Sequence, residues 1–138
     1  MAQLAASVPI EITDTIANYP ASARRAFLKL RDIVFSLAAE RTEVGVLTES
    51  LKWGEPSYVP KRSRTGTPVR IAWKDKAPDS ISLFVNCQTT LIQEWREIYG
   101  DTFEFVGNRE LKLQVSGDWP EAELTHCVAM ALTYFVRK

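Results

Sequence analysis

The amino-acid sequence predicts a single α+β domain in which an antiparallel sheet of about five to six strands carries helices packed on one face. Three observations predict it. A chain of 138 residues has the size of one ordinary domain. Its hydrophobic pattern switches between the 3.6-residue period of helices and the two-residue period of strands. The strand-like segments are grouped instead of alternating singly with helices, which favours an antiparallel sheet over a parallel one.

Residues 1–9 read as a flexible tail, ahead of one domain over 10–138. Residues 10–18 form a short helix that stops before Tyr19-Pro20, because a residue preceding proline is pushed out of the α region. Residues 21–41 make the clearest helix. Phe27, Leu30, Val34 and Leu37 recur at three- and four-residue spacing among Arg24, Arg25, Lys29, Arg31 and Asp32. After Gly45 the period changes, so 46–53 reads as a strand, followed by a turn and an extended piece ending at Pro60. The polar stretch 61–68 reads as a solvent loop at a hairpin tip.

Val69, Ile71 and Trp73 alternate with Arg70, Ala72 and Lys74, and Ile81, Leu83 and Val85 alternate with Ser82, Phe84 and Asn86. Joined by polar residues 75–79, these two strands form an antiparallel hairpin. Thr90 with Gln93 fits a capping box ahead of a helix whose apolar face is Leu91, Ile92, Trp95, Ile98 and Tyr99. Gly100 ends that helix as a left-handed residue. Phe103, Phe105 and then 111–115, around Gly107-Asn108, make a second hairpin. Asp118 and Glu121 repeat the capping pattern before a last helix that turns Leu124, Cys127, Val128, Ala131, Leu132 and Phe135 inward. The free sheet face then carries Arg70, Ala72, Lys74, Ser82, Phe84, Asn86, Lys112 and Gln114, which is neither a core nor a fully charged exterior.

Several function classes are excluded. With 17 Lys plus Arg against 17 Asp plus Glu, the chain lacks the net field that gathers polyanions or anionic membranes. Lys61, Arg62 and Arg64, with Arg70 nearby, form a basic cluster without interleaved aromatics, so no nucleic-acid partner is expected. No secretory start and no membrane-length apolar window occur, so the expected setting is cytoplasmic, without membrane contact. Cys87 and Cys127 read as two free thiols, both placed inside. One histidine excludes sites made of several imidazoles, and His126 adjoins a core-facing Cys127. No catalytic residue and no resident cofactor are therefore expected. The reading is a non-enzymatic binding domain, monomer or homodimer, whose partner is a small molecule or a protein.

Leu51-Lys52-Trp53-Gly54-Glu55-Pro56-Ser57-Tyr58 concentrates two aromatics, an acid, a base and two backbone-restricting residues at a strand end. Rigid turns of this kind suit a small ligand: Trp53 and Tyr58 supply stacking area, Lys52 and Arg109 pair with an anion, and Glu55 accepts from a donor. The plainer alternative is that Trp53 and Tyr58 are core aromatics and the turn is only structural. Glu11 with Asp14, and Glu40 with Glu43, are three apart at the first helix and at the end of the second, which places each pair on one helix face. Such pairs are commonly solvated, with weak loading by a hard cation as the alternative.

The same octapeptide resembles the Trp-Gly-x-Pro-x-Tyr/Phe signature of the YdhG-like family, small bacterial domains of unknown function. Tyr19-Pro20, the strand 81–86, Gly107-Asn108-Arg109 and Ala131-Leu132 extend the resemblance over most of the chain. It implies a compact α+β domain. It also implies a frataxin-like association, in which exposed carboxylates hold iron weakly and pass it to a cluster-assembly partner. Under that alternative Glu11, Asp14, Glu40 and Glu43 are the metal positions.

Overall fold

The computed structural model describes residues 7–137. In chain order they form α1 (Ile10–Ile16), α2 (Ala21–Glu40), β1 (Leu47–Lys52), β2 (Glu55–Pro60), β3 (Val69–Ala72), β4 (Ser80–Phe84), α3 (Leu91–Tyr99), β5 (Glu104–Val106), β6 (Glu110–Gln114) and α4 (Glu121–Leu132). The six strands make one antiparallel sheet in the order β1-β2-β3-β4-β6-β5. The fold is therefore α+β, as the grouping of strands predicts.

The core lies between one sheet face and the helices. Alternation along β3, β4 and β6 turns Val69, Ile71, Ile81, Leu83, Leu111 and Leu113 inward, against Phe27, Leu30 and Val34 of α2 and Leu124 and Val128 of α4. Each such side chain stabilises the fold by about 1.5–3 kcal/mol when fully buried. One charge joins this core. Arg31 of α2 donates from Nε and Nη2 to the two carboxylate oxygens of Glu49 on β1, at 2.7 and 2.9 Å. The Tyr58 hydroxyl of β2 donates to Glu49 at 2.7 Å. The hydrogen bond to Glu49 raises the Arg31 pKa above its ordinary value, and burial followed by the Glu49 charge raises that of Tyr58. This cluster ties the β1–β2 hairpin to α2.

Several expectations are corrected. Of the expected tail, residues 1–6 lie outside the described residues, but 7–9 are engaged: Ser7 O accepts from Arg31, Val8 packs on the core and Pro9 O accepts the Ile12 and Thr13 N–H groups. The 61–68 loop is not a free tip. Thr65 and Thr67 are buried, Thr67 N–H donates to Ala131 O, and Phe135 N–H donates to Thr65 O. Backbone groups of the loop are thus paired with the end of α4, and within the loop the Thr65 hydroxyl accepts from Arg62 Nε.

Neither capping box forms. Thr90 precedes α3, but its hydroxyl donates to Glu94, which two Arg137 bonds of 2.8 and 2.7 Å draw toward that end of the helix. At α4 the cap is Pro120, and Glu121 and Glu123 complement the helix dipole instead. Gly100 has φ −57°, so it is not left-handed. Ile98 is exposed because Phe103, folding back from the next turn through its N–H bond to Tyr99 O, is the aromatic that enters the core. Phe135 is exposed because α4 ends at Leu132 and the helical register is lost. No helix among the described residues is long and apolar enough to cross a membrane.

Candidate functional site

The sheet face away from the helices is built by the complementary alternation. Across it, backbone pairing sets Ser50 opposite Ser57, Ser57 opposite Arg70, Arg70 opposite Phe84 and Phe84 opposite Glu110. At one end of this row a hollow of about 400 Å³ is lined by Lys52, Trp53, Ser57, Pro68, Arg70, Val85, Asn86, Cys87 and Arg109. That volume falls in the range of small-ligand sites.

The β1–β2 connection has two residues, Trp53 and Gly54, closed by the Lys52–Glu55 pair, and their φ values are 51° and 77°. Two positive φ values are the requirement of the hairpin turn that matches strand twist, in which Asn or Gly is the ordinary first residue. Trp53 therefore occupies a left-handed position that disfavours it, and its side chain is 89% exposed. The indole stands over the Arg70 guanidinium at 5.5 Å, and Phe84 covers the same guanidinium at 5.4 Å. Glu55 fixes Arg70 at 2.8 Å and also accepts from Lys74 at 2.9 Å. Arg109 is placed by its own carbonyl, which accepts the Val85 N–H at 2.8 Å beside the end of β4.

The hollow is lined by basic side chains, one of them, Arg70, already paired with Glu55 behind it. Lys52, Arg70 and Arg109 line it and no carboxylate does. Among the described residues Lys52 and Arg109 have no ion-pair partner. At its floor the Ser57 hydroxyl is buried and has no hydrogen-bond partner among the described residues, a state that costs about 1–3 kcal/mol unless a ligand or water answers it. Next along the same face a smaller hollow of about 260 Å³ is lined by Lys74, Lys76, Lys112, Ser82, Phe84 and Glu110, among others.

Compared with models of protein families, with curated proteins and with solved structures, the chain matches none. Nothing in those comparisons identifies the YdhG-like family, so the site stands on its own geometry.

Of the expected ligand residues, Lys52, Trp53 and Arg109 meet at the hollow, with Glu55 behind Arg70. Tyr58 does not. Neighbouring strand residues point to opposite faces, and Tyr58 fills the core with 0% exposure while Ser57 takes the hollow. Arg70 leaves the basic loop for the sheet face, while Arg62 donates to Glu43 O and Thr65. Cys87 is exposed, correcting its expected burial, whereas Cys127 is buried and its thiol is pushed up to about 12 by desolvation.

The four carboxylates proposed for iron stay apart in role. Glu11 and Asp14 are exposed on α1, Glu40 ends α2, and Glu43 lies in the following turn against Arg41, off any helix face. Among the described residues no group of three or more His, Cys, Asp and Glu side chains is placed to hold a metal ion. His126 accepts or donates at 2.7 Å with the Tyr99 hydroxyl at the surface.

Missed by sequence reasoning were Ser57 and Cys87 as lining residues, and Arg70 as the centre of the site. The period-two alternation carried the signal for Arg70 and Asn86, which it sets on the free face. For Ser57 the signal was its neighbour: once Tyr58 is core, Ser57 must face the other way.

Proposed function

We propose that this protein is a non-enzymatic binding domain that takes a small organic anion with a planar part into the hollow beside Trp53. One observation carries the reading. In a chain of zero net charge, three cations and an exposed indole share one concavity with no acid in its lining. Lys52, Arg70 and Arg109 pair with the anionic group, with Arg70 presenting its planar fork between two rings. Trp53 covers the planar part and the Ser57 hydroxyl donates to an anionic oxygen.

Thermal denaturation with phenyl phosphate, and with phenol as its uncharged counterpart, tests the reading. A ligand at ten times its Kd stabilises the folded state by about 1.4 kcal/mol, an upward Tm shift of roughly 3–5 °C for a domain of this size. The shift is expected for phenyl phosphate alone, and is expected to vanish in an Arg70→Met, Arg109→Met double variant. Equal shifts from phenol, or a shift that survives in the double variant, would overturn the reading.

A further inference from the structure

The hollow contains a nucleophile that anion binding leaves unused. Cys87 sits in its lining, exposed, at the turn that follows β4. That turn is fixed locally: Asn86 Oδ1 accepts the Gln88 N–H at 2.8 Å, and Asn86 O accepts the Thr89 N–H at 3.0 Å. The thiol is thus presented into the same space as Lys52, Arg70 and Arg109. A second, independent feature points to an occupant beside it, the buried and unpartnered Ser57 hydroxyl in the same lining. The other thiol cannot compete, since Cys127 is fully enclosed among Leu124, Val128 and Ala131.

We propose that Cys87 is a thiolation site selective for small carboxylate-bearing disulfides. This rests on the reading of the hollow as an organic-anion site. The carboxylate of the incoming disulfide pairs with Arg109 and Lys52 and accepts from Ser57, which brings a sulfur to Cys87. The Cys87 thiolate attacks that sulfur, the small-molecule S–S bond breaks, and a mixed disulfide forms on the protein. Cys87 is oxidised and the released half is reduced, departing as its thiolate; the Cys87 proton has passed to solvent. The bound half then fills the hollow and excludes its anionic ligand, so thiolation switches binding off.

The test compares two disulfides of opposite charge on the full chain. Reaction rates with dithiobis(nitrobenzoate), a dianion, and cystamine, a dication, are measured at low and high salt and each divided by the rate for mercaptoethanol. Mass spectrometry after proteolysis locates the adduct. The expected result is one adduct, at Cys87, with a normalised anion-to-cation preference of about tenfold at low salt, the scale of electrostatic focusing in a charged cleft. The preference falls at high salt and in Lys52→Gln and Arg109→Gln variants. The thiolated protein gives no Tm shift with phenyl phosphate. If Cys87 reacts without charge preference, or not at all, while phenyl phosphate still stabilises the unmodified protein, thiolation selectivity is wrong and the anion reading stands. If phenyl phosphate does not stabilise the unmodified protein either, both are wrong.

Discussion

Replacing Trp53 by asparagine tests whether the indole is held at its turn for binding or for stability. At φ 51° a side chain other than glycine or asparagine costs about 1–2 kcal/mol, and asparagine removes most of that cost. What is lost is small, because a side chain 89% exposed buries little surface. Its contact with Arg70 at 5.5 Å is an exposed cation–π pair, contributing about 0.5–1 kcal/mol. The strain term wins narrowly. Trp53→Asn is expected to stabilise the protein by about 0.5 kcal/mol, roughly 2 °C in Tm. Affinity for phenyl phosphate is expected to fall about 5–10-fold with the loss of stacking. Urea denaturation with an unchanged slope, together with a binding titration, measures both effects. A destabilisation above about 1 kcal/mol would refute the strain argument. Unchanged affinity would refute Trp53 as a ligand contact.

Arg31→Met leaves the Glu49 carboxylate buried without its cation, where the two side chains are now only 2% and 9% exposed. It should cost about 3 kcal/mol, and a loss under about 1 kcal/mol in the urea midpoint would contradict the role given to the pair. Gly66→Ala places a Cβ inside the contact distance of the Leu132 backbone carbonyl, so the 61–68 loop must lift from α4. A loss of about 2 kcal/mol is expected, and a neutral result would mean that the loop is not seated there. The pKa of Glu94 is lowered, first by its hydrogen bonds to Arg137, so its contribution to stability is complete above the unfolded carboxylate pKa and is lost as pH falls through the depressed folded value. Urea midpoints measured downward from about pH 5 should therefore fall less steeply in Arg137→Met than in the wild type, and parallel slopes would count against the pair.

Period alone made the helices, the inward faces of the strands and the free sheet face legible, because burial on one side forces both repeats. The candidate site was legible only in part. Lys52 and Trp53 could be named, since a turn dense in aromatic and charged residues stands out, yet Tyr58 was misplaced within that same turn, and Arg109 reaches the hollow from the residue before β6. Choosing between Tyr58 and Ser57 depends on which residue pairs with Glu49 and Arg31 from other elements, a fact of register and not of local pattern. Cys87 joined the site through tertiary pairing of β4 with the residue before β6, a long-range contact with no local mark. The failed caps at α3 and α4 have a similar cause: Arg137, more than forty residues away, draws Glu94 to the start of α3.

The most direct test of the anion site is amide chemical-shift mapping of the isotopically labelled protein during titration with phenyl phosphate. Saturable shifts are predicted at Lys52, Trp53, Ser57, Arg70, Asn86, Cys87 and Arg109, with the outer faces of α2 and α4 unmoved. Shifts that saturate elsewhere, or none at these residues, would contradict the assignment of the hollow as the place where this protein binds.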